Sequence, residues 1–411
     1  MSRDNAAGTL EDDSTQFQQD LKMAVNSVQR TVHVARLAID KDSYSHGKKV
    51  RAYDLDNKYP NKIREIAKRS STVTTAASTL TDFIVGEGFE DEELNTLIIN
   101  RHGQTLLDLL KHFAHEFSIF SGICSHVNYN AFNEIAEITE LGFETVRYTG
   151  DLEKFAYSHD WTQRTNYSRD IKIYDKFDPE NASNQIDDYE EYTGQIFYFI
   201  PKKSDIYTVC FFDSVIDDAQ FEAESKIYKL SNIQNGYSAD YVRKVPANLV
   251  DKQKELDEIS RKEKALKGAS NAGRSEVMLI PPSLDAQNTA KVFEEIPRNG
   301  IDKLFPVQNK ETREAIYSNY KQPRILNGIT KEGGFSKDEY LDSFDYYNSY
   351  VQTYRDIIER QINKLGEFSI WSDQIKDVKI KPKQFKMFRE VEKTEKSENN
   401  EKKVEISENV E

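Results

Sequence analysis

Leu341, Phe344, Tyr347, Val351, Tyr354, Ile358 and Leu365 recur at helical steps in the last fifth of this sequence. Ser336 precedes them, and Glu339 follows three residues later, the pattern of a capping box. The spacing predicts one long helix over 337–365. A helix with a single apolar stripe has to bury it against other elements, so the rest of the chain must supply its partners.

The patterning upstream predicts such partners. After a loose N-terminal dozen, Phe17, Leu21, Val25, Val28, Val32, Ala35 and Ile39 predict an amphipathic helix. Tyr59-Pro60 opens a second helical region carrying Ile63, Ile66, Ala67, Val73, Ala77, Leu80 and Phe83. The Ser-Ser-Thr stretch at 70–72 is a point where it can divide, and Gly86 and Gly88 stop it. A third helix is predicted from Gln104 to Phe120. Strands are predicted at 126–129, 135–138 and 143–149, then as short pieces through 167–210, clearest at 198–200 and 207–212. Helix returns from Ser214 to Val245, ended by Pro246. A charged helix follows at 251–267. Glu276–Ile280 and Lys291–Ile296 form a hairpin-like pair, and another helix spans Ile301–Tyr320, where Pro306 either bends it or marks its first turn after a break. Pro323, Gly328, Gly333 and Gly334 mark a loop. The polar residues 386–411 are expected to be a disordered, charged tail. No internal repeat is visible.

Composition excludes several classes. The chain has 411 residues, 56 Lys+Arg and 70 Asp+Glu, for a net charge of −14. That length implies two or three domains or one elaborated body. The charge argues against a protein that coats nucleic acid by neutralising phosphates. No apolar run is long enough to span a membrane, and the N-terminus does not read as a secretory signal. Cys124 and Cys210 fit no metal or redox spacing, so a reducing compartment is expected.

Candidate chemistry is sparse. Gly268-Ala-Ser-Asn-Ala-Gly273-Arg274-Ser275 approaches a phosphate-cradling loop, but arginine replaces the lysine and a helix, not a strand, precedes it. A tight helix-to-strand turn is the simpler reading. His112 and His115 share a helix face beside Glu116 without a further ligand. Asp54, Asp56, Asp187, Asp188, Glu190 and Glu191 lack the glycine and terminal glutamate of a calcium loop. No G-x-S-x-G is present. An enzyme is therefore not expected, and neither a cofactor nor a metal is implied.

The order of these pieces resembles the portal proteins of tailed bacteriophages and prophages. The resemblance begins at Asp56-Asn57-Lys58-Tyr59-Pro60-Asn61 and continues through Ile84-Val85-Gly86-Glu87-Gly88-Phe89. The helix 104–120 with Phe120-Ser121-Gly122 and the strand HVNYN follow, then ITELGFETVRY at 138–148. Residues 264–280, KALKGASNAGRSEVMLI, resemble the portal turn through Gly268, Asn271, Ala272 and Gly273. Ala315-Ile316 with Tyr320, Pro323 and Leu326 resemble the next segment, and the helix 337–365 the closing one. The match runs over about 50–365; the polar stretch 150–192 has no counterpart, and a long helical C-terminal crown is missing.

The resemblance implies an α+β portal-type fold: a mixed α/β wing, long stem helices and a small α/β clip, assembled as a ring of about twelve copies. Residues 1–46 would form an N-terminal arm, 47–213 and 322–385 the wing, and 214–245 a stem helix. Residues 246–297 would form the clip, 298–321 a second stem helix and tunnel loop, and 386–411 the tail. The turn Gly268, Asn271, Ala272 and Gly273 would lie in the clip at a subunit interface. The tunnel loop is expected at Pro306–Lys310, where the helical stripe is interrupted, and the channel residues would be Lys303, Pro306, Asn309, Lys310 and Arg313. Plain solvated helix charge explains those cations equally well.

The implied function is the DNA channel at one capsid vertex, through which the terminase packages the genome and which later ejects it. The implied partners are other copies of the chain, double-stranded DNA, the large terminase subunit, the major capsid protein and head-completion or adaptor proteins, with no membrane. The place would be the virion, after synthesis in the host bacterial cytoplasm. Two alternatives remain: another phage structural or adaptor protein without a channel, and a nucleotide-binding protein acting through 268–275.

Overall fold

Ser70 decides how the second helical region divides. In a computed structural model of the chain, its N–H closes one helix on Ile66 O at 2.9 Å, and its hydroxyl accepts from Val73 N at 3.2 Å to open the next. One serine is thus the C-terminal stop of one helix and the N-cap of another. The structure describes residues 44–45, 49–54, 56–161, 170–182, 192–201, 206–234, 241–246, 276–280, 293–295, 301–327 and 336–385. The chain divides into two compact units. The larger is Leu37–Gln220 with Lys310–Glu411, and the smaller includes Phe221–Asn309.

In the larger unit, β1 (Tyr44–Ser45) pairs antiparallel with β2 (Val50–Arg51). The helices α1 (Tyr59–Arg69), α2 (Ser71–Val85), α3 (Glu92–Thr96) and α4 (Leu106–Phe120) follow. Pro60 sits in the first turn of α1, where a missing N–H costs nothing. Gly86 ends α2 with φ of 59°, and a Cβ there would stand 1.9 Å from Lys381 O. Only glycine fits that turn. Thr105 and Asp108 form a full capping box on α4, a start signal that the sequence reading did not use.

A six-stranded sheet runs in the order β4-β3-β8-β7-β6-β5. Its strands are β3 (Ile123–Tyr129), β4 (Ile135–Glu140), β5 (Val146–Tyr148), β6 (Lys154–Tyr157), β7 (Lys172–Lys176) and β8 (Gln195–Phe199). All neighbours are antiparallel except β7 and β8. The stretch 150–192, without counterpart in the sequence comparison, supplies β6 and β7, so it is part of the sheet. Of the strand expected over 143–149, Phe143–Thr145 is a 3-10 turn and only Val146–Tyr148 is extended. The strand expected at 207–212 is absent. Its backbone finds other partners: Cys210 N donates to Tyr59 Oη at 3.1 Å, Phe211 N to Ile119 O at 2.8 Å, and Thr208 O accepts from the Tyr53 hydroxyl.

The chain leaves this unit along α5 (Ile216–Gln234). The helix expected to run to Val245 stops earlier, and Tyr241–Pro246 is a strand, β9. Tyr241, Val242 and Val245 are strand-favouring types, and their spacing continued the helical stripe only by coincidence. In the smaller unit β9 lies between β10 (Glu276–Ile280), parallel to it, and β11 (Phe293–Glu295), antiparallel. The expected hairpin of 276–280 with 291–296 is therefore not formed, because β9 separates the two. Helix α6 (Ile301–Asn319) returns to the larger unit and is continuous through Pro306. Pro306 lies in its second turn and removes one N–H bond. The long closing helix α7 (Lys337–Glu367) opens on the Ser336–Glu339 capping box as expected.

One contiguous apolar core joins α1, α2, α4, α7 and the sheet. Among the described residues two arginines are fully buried in this unit, Arg147 and Arg355, each at 0% exposure. Arg147 on β5 donates from Nε to Asn57 Oδ1 at 2.8 Å and from Nη2 to Asn57 O at 3.2 Å. Its Nη1 donates to Glu144 O at 2.9 Å and Val146 O at 2.8 Å. Tyr53 and Trp161 cover its guanidinium, at 5.4 Å and 5.3 Å from their ring centroids. Asn57 itself holds φ of 59°, a conformation asparagine tolerates better than most residues.

The expected first helix at 17–39, the charged helix 251–267, the loop glycines 328, 333 and 334, and the tail 386–411 lie outside the described residues. Removing the Asn57 side chain leaves a buried guanidinium N–H without its acceptor. Asn57→Ala is expected to lower the unfolding free energy by about 2–3 kcal/mol. The check is a shift of the urea midpoint at unchanged slope.

Candidate functional site

The residues singled out for chemistry mostly turn out to hold structure. Glu116 is 2% exposed. Its carboxylate accepts from Arg64 Nη2 at 2.6 and 2.8 Å and from Phe143 N at 2.8 Å. Arg64 also bonds Glu144 at 2.6 Å, with its guanidinium 4.5 Å from the centroid of Phe120. His112 Nε2 lies 2.9 Å from Leu141 O. Asp56 pairs with Lys62 at 2.7 Å. Among the described residues no three His, Cys, Asp or Glu side chains gather in a metal-binding group. Asp187, Asp188, Glu190 and Glu191 lie outside the described residues, as does the Gly268–Ser275 loop.

Both thiols are buried and free. Burial pushes Cys124 up and raises Cys210 to about 12. A thiol held protonated is a poor nucleophile.

The departing and returning helices are joined where they meet the larger unit. Ser214 Oγ donates to Asn319 Oδ1 at 2.7 Å, just ahead of α5. Asn319 Nδ2 donates to Phe211 O at 3.1 Å. About two turns earlier on α6, Thr312 Oγ1 reaches Asp218 Oδ1 at 3.4 Å. Burial raises the Asp218 pKa, and the Thr312 contact opposes that. Ile316 on α6 and Tyr320 just past its end are both at 0% exposure, and Tyr320 Oη donates to Ser118 O at 3.1 Å. No local signal in the sequence singled out Asn319, Ser214 or Asp218, because their partners are about a hundred residues away.

Of the expected channel residues, Lys310 and Arg313 lie on the exposed face of α6, interleaved with exposed Glu311 and Glu314. Both signs alternate along that face, so it carries no cationic stripe of the kind that grips phosphates. Lys303, Pro306 and Asn309 are on the same helix. The interruption expected at Pro306–Lys310 is not seen, since these residues are helical. The turn residues Gly268, Asn271, Ala272 and Gly273 lie outside the described residues.

The Arg64 centre gives a pH dependence. Burial alone would raise the Glu144 carboxyl, but its bonds to Arg64 outweigh that, and its pKa falls below the ordinary 4.5. A depressed folded-state pKa contributes stability that is present above pH 4.5 and lost as pH falls through the folded value. Glu144→Gln is expected to flatten the acid limb of a stability-versus-pH curve below that pH. The check is the urea midpoint measured across the range. Lys310 and Arg313 are exposed, so K310E with R313E should shift stability by no more than about 0.5 kcal/mol, measured by thermal unfolding.

No protein-family profile matches the chain, and no curated protein sequence matches it. Solved structures do. A chain in the virion of a native gene transfer agent particle is 12% identical, with a TM-score of 0.42, covering 78% of this chain and 83% of that one. A chain in the neck of a native gene transfer agent particle, computed with C12 symmetry, is 14% identical, with a TM-score of 0.41 and coverage of 79% and 84%. An HK97-family phage portal protein from Corynebacterium diphtheriae is 9% identical, with a TM-score of 0.33 and coverage of 69% and 85%. The structures to which this chain is similar thus include a phage portal protein and gene transfer agent neck chains.

Proposed function

We propose that this chain is the subunit of a portal-type ring, the DNA channel and head–tail connector of a phage or phage-like particle. The observation that carries the proposal is the excursion between Ile216 and Asn319. The chain leaves an α/β body along one helix of 19 residues, forms a separate three-stranded sheet, and returns along another helix of 19 residues. Ser214, Phe211 and Asn319 bond the two ends together in the body. The motif residues on which the portal resemblance rests also fall at structural pivots: Asn57 on Arg147, Tyr59 on Cys210, and Gly86 against Lys381.

In this reading the body forms the wing, α5 and α6 the stem, and β9–β11 with the intervening chain the clip. The stem helix is shorter than its sequence expectation, and the clip correspondingly begins near Tyr241. Lys303, Pro306, Asn309, Lys310 and Arg313 would face the channel, and Gly268, Asn271, Ala272 and Gly273 a neighbouring subunit. A duplex has to slide through such a channel in both directions. A lining of alternating sign keeps it centred without releasing enough counterions to hold it. About twelve copies would close by a heterologous interface into a ring. The chain would not hydrolyse ATP; the terminase would. Its place would be the capsid vertex, among terminase, major capsid and head-completion proteins.

The test is electron microscopy of the purified protein in negative stain, paired with mass from light scattering. Rings of about twelve subunits with a central opening wide enough for duplex DNA are expected. A compact oligomer without a central opening overturns the proposal and favours an adaptor without a channel.

A further inference from the structure

A cleft of 680 Å³ lies in the larger unit between the end of β8 and the middle of α7. Tyr148, Tyr198 and Phe199 supply aromatic surface, and Ile357, Arg360 and Lys364 line it from α7. No carboxylate is among its lining residues within the described residues. Arg360 is exposed, and its Nε donates to Asp356 O at 2.9 Å, one turn back on its own helix. The Asp356 carboxylate accepts from Gln352 at 2.7 Å. Lys364 Nζ stands 5.3 Å from the Phe177 centroid, and Lys176 Nζ 5.2 Å from that of Tyr148. The cleft is thus aromatic at its base and cationic at its rim.

The strand beside it has unused backbone. β7 pairs with β8 only at Asp175↔Gln195 and Lys176↔Ile196, and Phe177 N then donates to Ile196 O at 3.0 Å. Past that point β7 departs into the 3-10 turn Pro179–Asn181. Strand alternation points the Tyr198 N–H and C=O to the same side as those of Ile196, beyond the end of β7. The Tyr198 hydroxyl is also buried without a hydrogen-bond partner. An extended segment laid there would complete a ladder, the usual form of strand addition.

The chain carries a segment of that chemistry. Val404-Glu-Ile-Ser-Glu-Asn-Val-Glu411 holds three glutamates, no lysine or arginine, and aliphatic residues at 404, 406 and 410. It lies outside the described residues. Phe385, the last of the described residues, packs on Tyr340 and Phe344 at 5.6 and 5.2 Å between ring centroids, near the start of α7. Phe344 and Arg360 are separated by about 24 Å at 1.5 Å per helical residue. Residues 386–403 can span up to about 60 Å when extended, more than enough to reach the cleft.

We propose that residues 404–411 dock in this cleft as an added strand beside β8. Strand alternation puts Glu405 and Glu411 on one face, where they meet Arg360 and Lys364, and Val404, Ile406 and Val410 on the other, where they cover Tyr198. The docking does not depend on the portal reading.

The test is hydrogen exchange of the amides of Tyr198–Ile200 in the full-length protein and three full-length variants: E405K with E411K, R360E with K364E, and all four substitutions together. Thermal unfolding of each variant verifies folding. The expected result is protection in the parent, exchange at least tenfold faster in either charge variant, and protection restored when the charges are swapped together. Equal exchange in the parent and in the tail variant overturns the proposal. So does acceleration by R360E with K364E alone, which would assign the cleft to another acidic segment such as 187–191.

Discussion

The guanidinium of Arg147 is the point on which the larger unit turns. Burying it costs several kcal/mol of desolvation, which only a complete set of acceptors can offset. The chain supplies that set from two places ninety residues apart in sequence: Asn57, ahead of α1, and the carbonyls of Glu144 and Val146 at the start of β5. The same centre extends through stacked tyrosines. Tyr53 lies 4.1 Å from Tyr207 between ring centroids, and Tyr207 Oη donates to Arg51 O at 2.7 Å while accepting from Tyr148 N at 2.9 Å. The segment 206–212 is held by these side chains and not by a strand ladder. Since that segment leads directly into α5, the Arg147 centre also sets where the excursion begins.

The long helix α7 is the second support, and it too relies on buried charge. Arg355 Nε donates to Phe83 O at 3.0 Å, satisfying a carbonyl in the last turn of α2. Glu359, at 2% exposure, accepts from Ile380 N and Lys379 Nζ, both at 2.9 Å. The returning chain is thereby fixed along α7, and Lys381 O comes up against Gly86. A helix end, a glycine and a carboxylate from three regions of the chain form one joint.

These joints tie the roots of α5 and α6 to the body. Asn319 bonds the two roots, and Tyr320 anchors the return to α4 through Ser118. The exposed charges at Lys310, Glu311, Arg313 and Glu314 of α6 alternate in sign.

Much of this was legible in the order of residues. Pro60, Ser70, Gly86 and the Ser336–Glu339 box act within a few residues of themselves, so local chemistry determined the starts and stops of α1, α2 and α7. The apolar periodicity of α4 and α7 determined which faces they bury, except that Leu341, in the first turns of α7, stays exposed. Tertiary structure alone decided the rest. β9 separates β10 from β11 because strand partners are chosen by non-local pairing, which no local alternation encodes. Tyr207–Phe212 reads as a strand but forms none, because Tyr59 and Ile119 from distant elements take its hydrogen bonds. Arg147, Asn319 and the cleft beside Tyr198 acquire their roles only when the chain brings their partners to them. Burial and hydrogen-bond satisfaction depend on distance in space, and sequence separation carries almost no information about that distance.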